Sequence, residues 1–218
     1  KELGSERAAE QYNAAREVEE EISLPRHIRE LWEEANQAAG RQDWERAIEK
    51  FRKTLRELAL KQPNSRALNK LRKNLSVCLN NYSTDRFSVA LSELVQMLAA
   101  TINTALTPNG LESLRVALAP RWKLLYSACT TLCEAIQLDP SNDHALQNLR
   151  GIEQQISQLE SSIPIQLQPN DRQKPSISAG TLKVLQEAYA ALENEDWDQA
   201  ADKFERAISQ LGSQASEY

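Results

Sequence analysis

Glycine and proline are scarce in this 218-residue chain, with six and eight copies, and aromatic residues make up only 6% of it. Because these two residues interrupt helices, their scarcity favours a helical fold. No apolar run approaches the roughly 20 residues that a membrane-spanning helix needs, and no signal peptide opens the chain. The first residue is not methionine, which indicates a piece of a longer protein. The sequence therefore predicts a cytoplasmic, all-α protein.

Cysteine is also rare. Cys78, Cys129 and Cys133 form an odd number without disulfide spacing, which favours a reducing compartment. Cys129 and Cys133 lie four residues apart, a spacing compatible with metal ligands. The two histidines, His27 and His144, have no suitably spaced partner. We therefore expect the thiols to be small buried groups, and we expect neither a metal nor another cofactor.

The net charge of −5 is spread unevenly along the chain. Residues 1–66 carry 13 positive and 14 negative side chains, residues 67–163 carry 8 of each, and residues 164–218 carry 5 and 9. Glutamates interleave the densest run of basic residues, at 41–56, and can form pairs along a helix surface. No segment in this division is strongly basic, so a nucleic-acid partner is not expected.

One spaced pattern occurs twice. Asp43-Trp44, followed by Ala47, Phe51 and Thr54, returns as Asp196-Trp197, followed by Ala200, Phe204 and Ala207. Its aromatic and small residues fall three or four apart, so they share one helix face. Alanine allows a second helix to approach closely, and the aromatic ring fills the space one turn away. The pattern indicates helices that pack in pairs.

Periodicity and turn residues divide the chain into segments. We expect an N-terminal helix within residues 1–25, a helical array over residues 26–161, a proline-containing linker at 162–180 and a helix pair at 181–218. Within the array, breaks are expected at 81–85, at 107–110, at Pro120 and at 139–142, and Gly40 is expected to end a helix. Asp43 is expected to cap one helix, and either Ser141 or Asn142 is expected to cap another.

These residues resemble the tetratricopeptide repeat (TPR) family, whose repeat is a helix–turn–helix unit of 34 residues. The resemblance covers about two thirds of the chain, with irregular spacing between units. It implies an all-α fold of antiparallel helix pairs stacked into a right-handed superhelix. The residues that would pack between helices are Trp44, Ala47, Phe51, Phe87, Ala90, Ala128, Ala135, Pro140, Trp197, Ala200, Phe204 and Ala207.

In that family the first helix of each unit lines a concave face that binds peptides or proteins. Leu31 would take the inward position and leave Trp32 to anchor a partner. Asn36 matches one position of the carboxylate clamp found in some members, but Trp32 and Lys70 stand where the clamp needs Lys and Asn. Binding of a chaperone tail is therefore not expected. The partner-binding residues implied by the resemblance are Arg29, Trp32, Asn36, Arg66, Asn69, Lys73 and Tyr189.

The chain contains no glycine-rich phosphate loop, nucleophile elbow or Ser/His/Asp set. We therefore expect a non-catalytic scaffold or adaptor for a protein or peptide. Two alternatives stay open: the chain is a regulatory or docking region of a larger enzyme or signalling protein, or it is a structural helical bundle that associates with itself as a homo-oligomer.

Overall fold

The structure, a computed structural model, is helical in every element that it describes. The six helices run in the order α1 (Arg26–Gly40), α2 (Trp44–Lys61), α3 (Ala67–Thr101), α4 (Pro108–Leu138), α5 (Asp143–Ser162) and α6 (Ala179–Glu193). The described residues are 24–101, 108–164, 167–168, 179–193, 196, 199, 201–203 and 205–207. No strand occurs in those ranges, which confirms the all-α class. The N-terminal helix expected within residues 1–25 lies almost wholly outside them.

The chain divides into two compact units, Lys1–Cys78 and Leu79–Tyr218. The boundary falls inside α3 and therefore inside the segment 26–161 that the sequence predicts as one array. The first unit contains α1, α2 and the start of α3. The second contains the rest of α3 and the helices α4, α5 and α6.

Helices α1 and α2 form an antiparallel pair held by small residues and by polar contacts. Ala35 and Ala47 have no exposed surface, which allows the two helix backbones to approach closely. Lys50 Nζ lies 2.5 Å from Glu34 Oε2. At the other end of the pair, Lys61 Nζ lies 2.8 Å from His27 Nε2. These contacts fix the register of one helix against the other.

A three-residue turn reverses the chain between α1 and α2. Gln42 has a φ of 60°, in the left-handed region. Its N–H donates to the Ala39 carbonyl at 2.9 Å, and the Asp43 N–H donates to the Ala38 carbonyl at 3.0 Å. This is the Schellman arrangement that closes many helices. The expected end of the helix at Gly40 is confirmed, and Gln42, two residues further on, takes the left-handed position that glycine usually fills.

Asp43 also begins the next helix. Its Oδ1 accepts from the Arg46 N–H at 3.3 Å, which confirms the predicted cap of α2. One residue therefore closes α1 through its N–H and opens α2 through its carboxylate.

The break expected at 81–85 is wrong, because α3 runs through it without interruption. Polar side chains that would favour a turn bond instead to the carbonyl one helical turn back. Ser83 Oγ donates to the Leu79 carbonyl at 2.8 Å, and Thr84 Oγ1 donates to the Asn80 carbonyl at 2.9 Å. Such bonds satisfy the hydroxyls within the helix and remove their competition with it.

The break expected at Pro120 is also wrong, since Pro120 lies inside α4. Proline removes one backbone N–H and displaces the preceding turn, which weakens the hydrogen bonds there. Arg121 forms two side-chain bonds beside the proline: its Nη1 donates to the Ala117 carbonyl at 3.4 Å and its Nε to Glu93 Oε2 at 3.1 Å. The turn expected at 107–110 is misplaced, because Pro108 is the first residue of α4, where proline is tolerated.

Helices α4 and α5 form a second antiparallel pair. The predicted turn at 139–142 separates them. Asn142 Oδ1 accepts from the Ala145 N–H at 3.0 Å, so Asn142 and not Ser141 is the cap of α5. Across the pair, Tyr126 OH donates to Glu160 Oε1 at 2.5 Å. Trp122 stacks on Tyr126 with ring centroids 6.1 Å apart. Its buried indole N–H has no hydrogen-bond partner among the described residues.

The hairpin geometry of α1 and α2 returns in the second unit, 153 residues later, where the sequence pattern repeats. The Asp196 N–H donates to the Ala191 carbonyl at 2.9 Å, as Asp43 does to Ala38. Asp196 Oδ1 accepts from the Gln199 N–H at 3.2 Å, as Asp43 does from Arg46. Lys203 Nζ lies 2.8 Å from Glu187 Oε2, matching Lys50 and Glu34. Among the described residues, Asp196, Gln199, Lys203 and Glu187 therefore repeat the contacts that Asp43, Arg46, Lys50 and Glu34 form in the first unit.

Replacing Gln42 by glycine is expected to raise the free energy of unfolding by about 1 kcal/mol, because glycine adopts the left-handed conformation without the steric cost of a Cβ. Replacing it by valine is expected to lower that free energy, since a β-branched side chain fits this region poorly. Urea denaturation followed by circular dichroism measures both changes. A glycine variant no more stable than the native chain would contradict this reading of the turn.

Candidate functional site

Trp32 lies in the first unit beneath a lysine from α3. Only 6% of its surface is exposed, and Lys70 Nζ lies 5.9 Å from the centroid of its ring. Leu31, expected to point inward, is partly exposed instead. The orientation predicted for this pair is therefore reversed. The indole of Trp32 covers more apolar surface than a leucine side chain when it packs towards α3. Trp32 supports the surface residues above it and exposes little area for contact with a partner.

Polar residues surround this contact on both helices. On α1, Arg29 and Asn36 lie three residues before and four after Trp32, on the same helix face, and both are exposed. On α3, Asn69 and Lys73 flank Lys70 and are exposed as well. The structure thus brings six of the seven predicted partner-binding residues into one unit, on helix faces that meet at Trp32 and Lys70. We call this surface the basic face: Arg29, Trp32, Asn36, Arg66, Asn69, Lys70 and Lys73.

The basic face belongs to a positively charged part of the chain. Residues 24–78 contain thirteen Lys and Arg but seven Asp and Glu, a net charge of +6. Between Glu57 and Asp85 the sequence has five basic residues and no acidic one. The start of α3 lies in that interval, and the dipole of the helix adds to the positive potential there. The net charge of residues 1–66 is close to zero and does not show this excess, because residues 1–23 carry three positive and seven negative side chains, a net charge of −4.

The remaining predicted residues divide into three groups. Tyr189 belongs to α6, but its side chain lies outside the described residues, as do Trp197, Ala200 and Phe204. Trp44 and Pro140 are half-buried. The others are at most 4% exposed: Ala47, Phe51, Phe87, Ala90, Ala128, Ala135 and Ala207. Ala207 and Thr54, which share a place in the repeated pattern, are both fully buried.

A groove of about 480 Å³ lies in the second unit between α3 and α5. Phe87, Leu91 and Ile152 contribute its apolar surface. At one end, Asn148 Nδ2 donates to Asn80 Oδ1 at 2.8 Å and approaches Thr84 Oγ1 at 3.5 Å. Sequence reasoning missed this groove because a groove between two helices depends on how α3 and α5 lie against each other. The signal was the series Thr84, Ser88, Ser92 and Gln96, which repeats every four residues as on one helix face.

All three cysteines are free and buried. Burial raises the pKa of Cys78 to about 11. Burial raises the pKa of Cys129 and of Cys133 to about 12, with a smaller contribution from the nearby carboxylate of Glu153. A thiol with such a pKa stays protonated at neutral pH and reacts slowly. Across the described ranges, no three His, Cys, Asp or Glu side chains group closely enough to hold a metal ion.

Comparison with known proteins adds no relative: no protein-family model, curated protein or solved structure matches the chain. The resemblance to the TPR family therefore rests on the residues quoted above. Each helix in the described part of the chain is too short or too polar to cross a lipid bilayer.

The buried thiols are expected to make stability depend on alkaline pH. Their pKa is raised by folding, so this contribution is complete below the usual thiol value of about 9 and is lost as the pH rises towards 11 and 12. Each thiol contributes a slope of at most about 1.4 kcal/mol per pH unit. Urea denaturation between pH 8 and 11 should show a steeper loss for the native chain than for a variant with all three cysteines changed to alanine. Equal slopes would contradict the assigned burial.

Proposed function

We propose that this chain is a non-catalytic, protein-binding scaffold built from TPR-like helix pairs. The recurrence of one hairpin, with the same helix closure, cap and cross-helix ion pair, supports a repeat architecture. The stacked, right-handed arrangement that the family resemblance implies is part of the same proposal. In this reading the exposed faces of the helix pairs bind a segment of another protein.

The observation that carries the proposal is the basic face of the first unit. Arg29, Arg66 and Lys73 are exposed there, in a part of the chain whose net charge is +6. Asn36 and Asn69 add amide groups that can donate to carboxylates or to a peptide backbone. The chemistry that this surface fits is a peptide rich in Asp and Glu. Complementary charge of this kind chiefly speeds association and selects the partner.

Buried Trp32 gives the basic face its shape. Lys70 is positioned over the indole ring by a cation–π contact, which restricts its ammonium group to one side of α3. A positioned lysine loses less conformational freedom on binding than a mobile one, which favours affinity. Because Trp32 is buried, its replacement by alanine would cost about 3–5 kcal/mol of stability and would not isolate its effect on binding.

Charge reversal tests the proposal directly. Arg66→Glu combined with Lys73→Glu is expected to weaken binding of a 12-residue Glu- and Asp-rich peptide about tenfold, since two exposed pairs of up to about 1 kcal/mol each become repulsive. Titration calorimetry at 50 mM and 300 mM salt measures the change, and the native affinity should fall at the higher salt concentration. The control is Lys123→Glu, an exposed lysine in the second unit, which lowers the net charge by two against four in the double variant.

Three results would reject this function. The first is an affinity equal to that of the same peptide with Gln and Asn in place of its acids. The second is an equal loss of binding in the Lys123→Glu control. The third is binding of a DNA or RNA duplex more tightly than the acidic peptide, which would assign the basic face to nucleic acid. Melting curves of the variants separate these results from misfolding.

A further inference from the structure

The groove between α3 and α5 has chemistry opposite to that of the basic face. None of the twelve described residues that line it is charged, although charged residues make up 26% of the chain. Most of these twelve residues carry hydroxyl or amide side chains, and Val95, at one end of the groove, is 48% exposed. A charged group of a partner would lose its hydration here without gaining an opposite charge. The surface of a partner that enters the groove is therefore uncharged.

The walls of the groove are two regular stripes. On α3, Thr84, Ser88, Ser92 and Gln96 follow one another at intervals of four residues, over a length of about 18 Å. On α5, Gln147, Gly151 and Gln155 follow at the same interval, over about 12 Å. An elongated space between two helix faces fits a third helix of about three turns, with apolar anchors at i, i+3 or i+4, and i+7.

The packing of this chain gives no reason for a glycine at position 151. It lies inside α5, where glycine weakens a helix relative to alanine. A Cβ built at this position would meet no atom within 4 Å, so no neighbouring element in the chain needs the space. Gly151 lines the groove, and its missing side chain leaves room for another backbone to approach α5.

We propose that this groove binds an amphipathic helix of a partner protein, about three turns long, whose contact face is uncharged. Its apolar anchors pack on Phe87, Leu91 and Ile152, and a small residue crosses α5 at Gly151. Hydroxyl and amide groups beside the anchors bond to Ser88, Ser92 and the glutamines of α5. This site goes beyond the function proposed above, because it lies in the second unit and selects a partner surface without charged residues.

The test is a displayed library of helical 14-residue peptides in which four contact positions are randomised. Selection uses the full chain, with counter-selection on the Gly151→Leu variant, whose side chain would fill the groove. We expect enriched peptides to carry Ala, Leu, Val, Ser or Gln at the contact positions. A selected peptide should then bind the Gly151→Leu variant at least tenfold more weakly than the native chain.

Gly151→Ala separates binding from stability. This variant should melt at a higher temperature, because alanine favours the helix and its Cβ meets nothing, yet it should bind the selected peptide about threefold more weakly. The matched control is Gly40→Ala: Gly40 is also helical and also has no atom within 4 Å of an added Cβ, but it lies in the first unit. It should raise the melting temperature without changing the affinity.

Several outcomes would overturn the proposal. They are the absence of enrichment over the counter-selection, enrichment of Asp, Glu, Lys or Arg at the contact positions, and equal affinity of the native and Gly151→Leu chains for the selected peptide. Concentration-dependent dimerisation that Gly151→Leu abolishes would assign the groove to a second copy of this chain. None of these results depends on the acidic-peptide titration, so the two proposals fail or succeed separately.

Discussion

Close contact between small residues at a sharp reversal of the chain determines the rest of the first unit. Ala35 and Ala47 have no exposed surface, and the short turn between α1 and α2 permits that approach. Asp43 both ends one helix and begins the next, so the turn needs few residues. With α1 held against α2, the face that carries Trp32 is directed to α3. The position of Lys70 above the indole follows from that packing.

The two proposed surfaces differ in the property by which they would select a partner. In the proposal, the positive charge of the basic face would attract an acidic segment over a distance. The groove, which lacks charge, would give little long-range attraction, and its selection would depend on shape and on the cost of burying an unpaired charge.

The sequence predicted those features that depend on neighbouring residues. The cap at Asp43, a cap at Ser141 or Asn142 and the turn at 139–142 follow from local hydrogen bonding, and the structure confirms them, with Asn142 as the second cap. The expected breaks at 81–85 and at Pro120 were wrong because residues that favour turns also form bonds inside a helix. Hydroxyl groups in α3 donate to carbonyls one turn back, and Arg121 donates to a carbonyl beside the proline.

The orientation of Trp32 and Leu31 failed for a different reason. Helical periodicity assigns both residues to adjacent parts of one face, and only the contact with α3 decides which is buried. The groove between α3 and α5 was missed because it depends on how two helices distant in sequence lie against each other. The net positive charge of residues 24–78 can be counted from the sequence. Dividing the chain at residue 66 combined part of it with the acidic residues 1–23, so that the two charges nearly cancelled.

The repeated ion pair also determines how the helix pairs respond to acid. Lys50 lowers the pKa of Glu34, and Lys203 lowers the pKa of Glu187, in each case first through a hydrogen bond and then through its charge. Both carboxylates therefore remain ionised as the pH falls past the usual value of 4.5, and protonate only below it. These two ion pairs are therefore insensitive to the mild acidity of compartments such as endosomes.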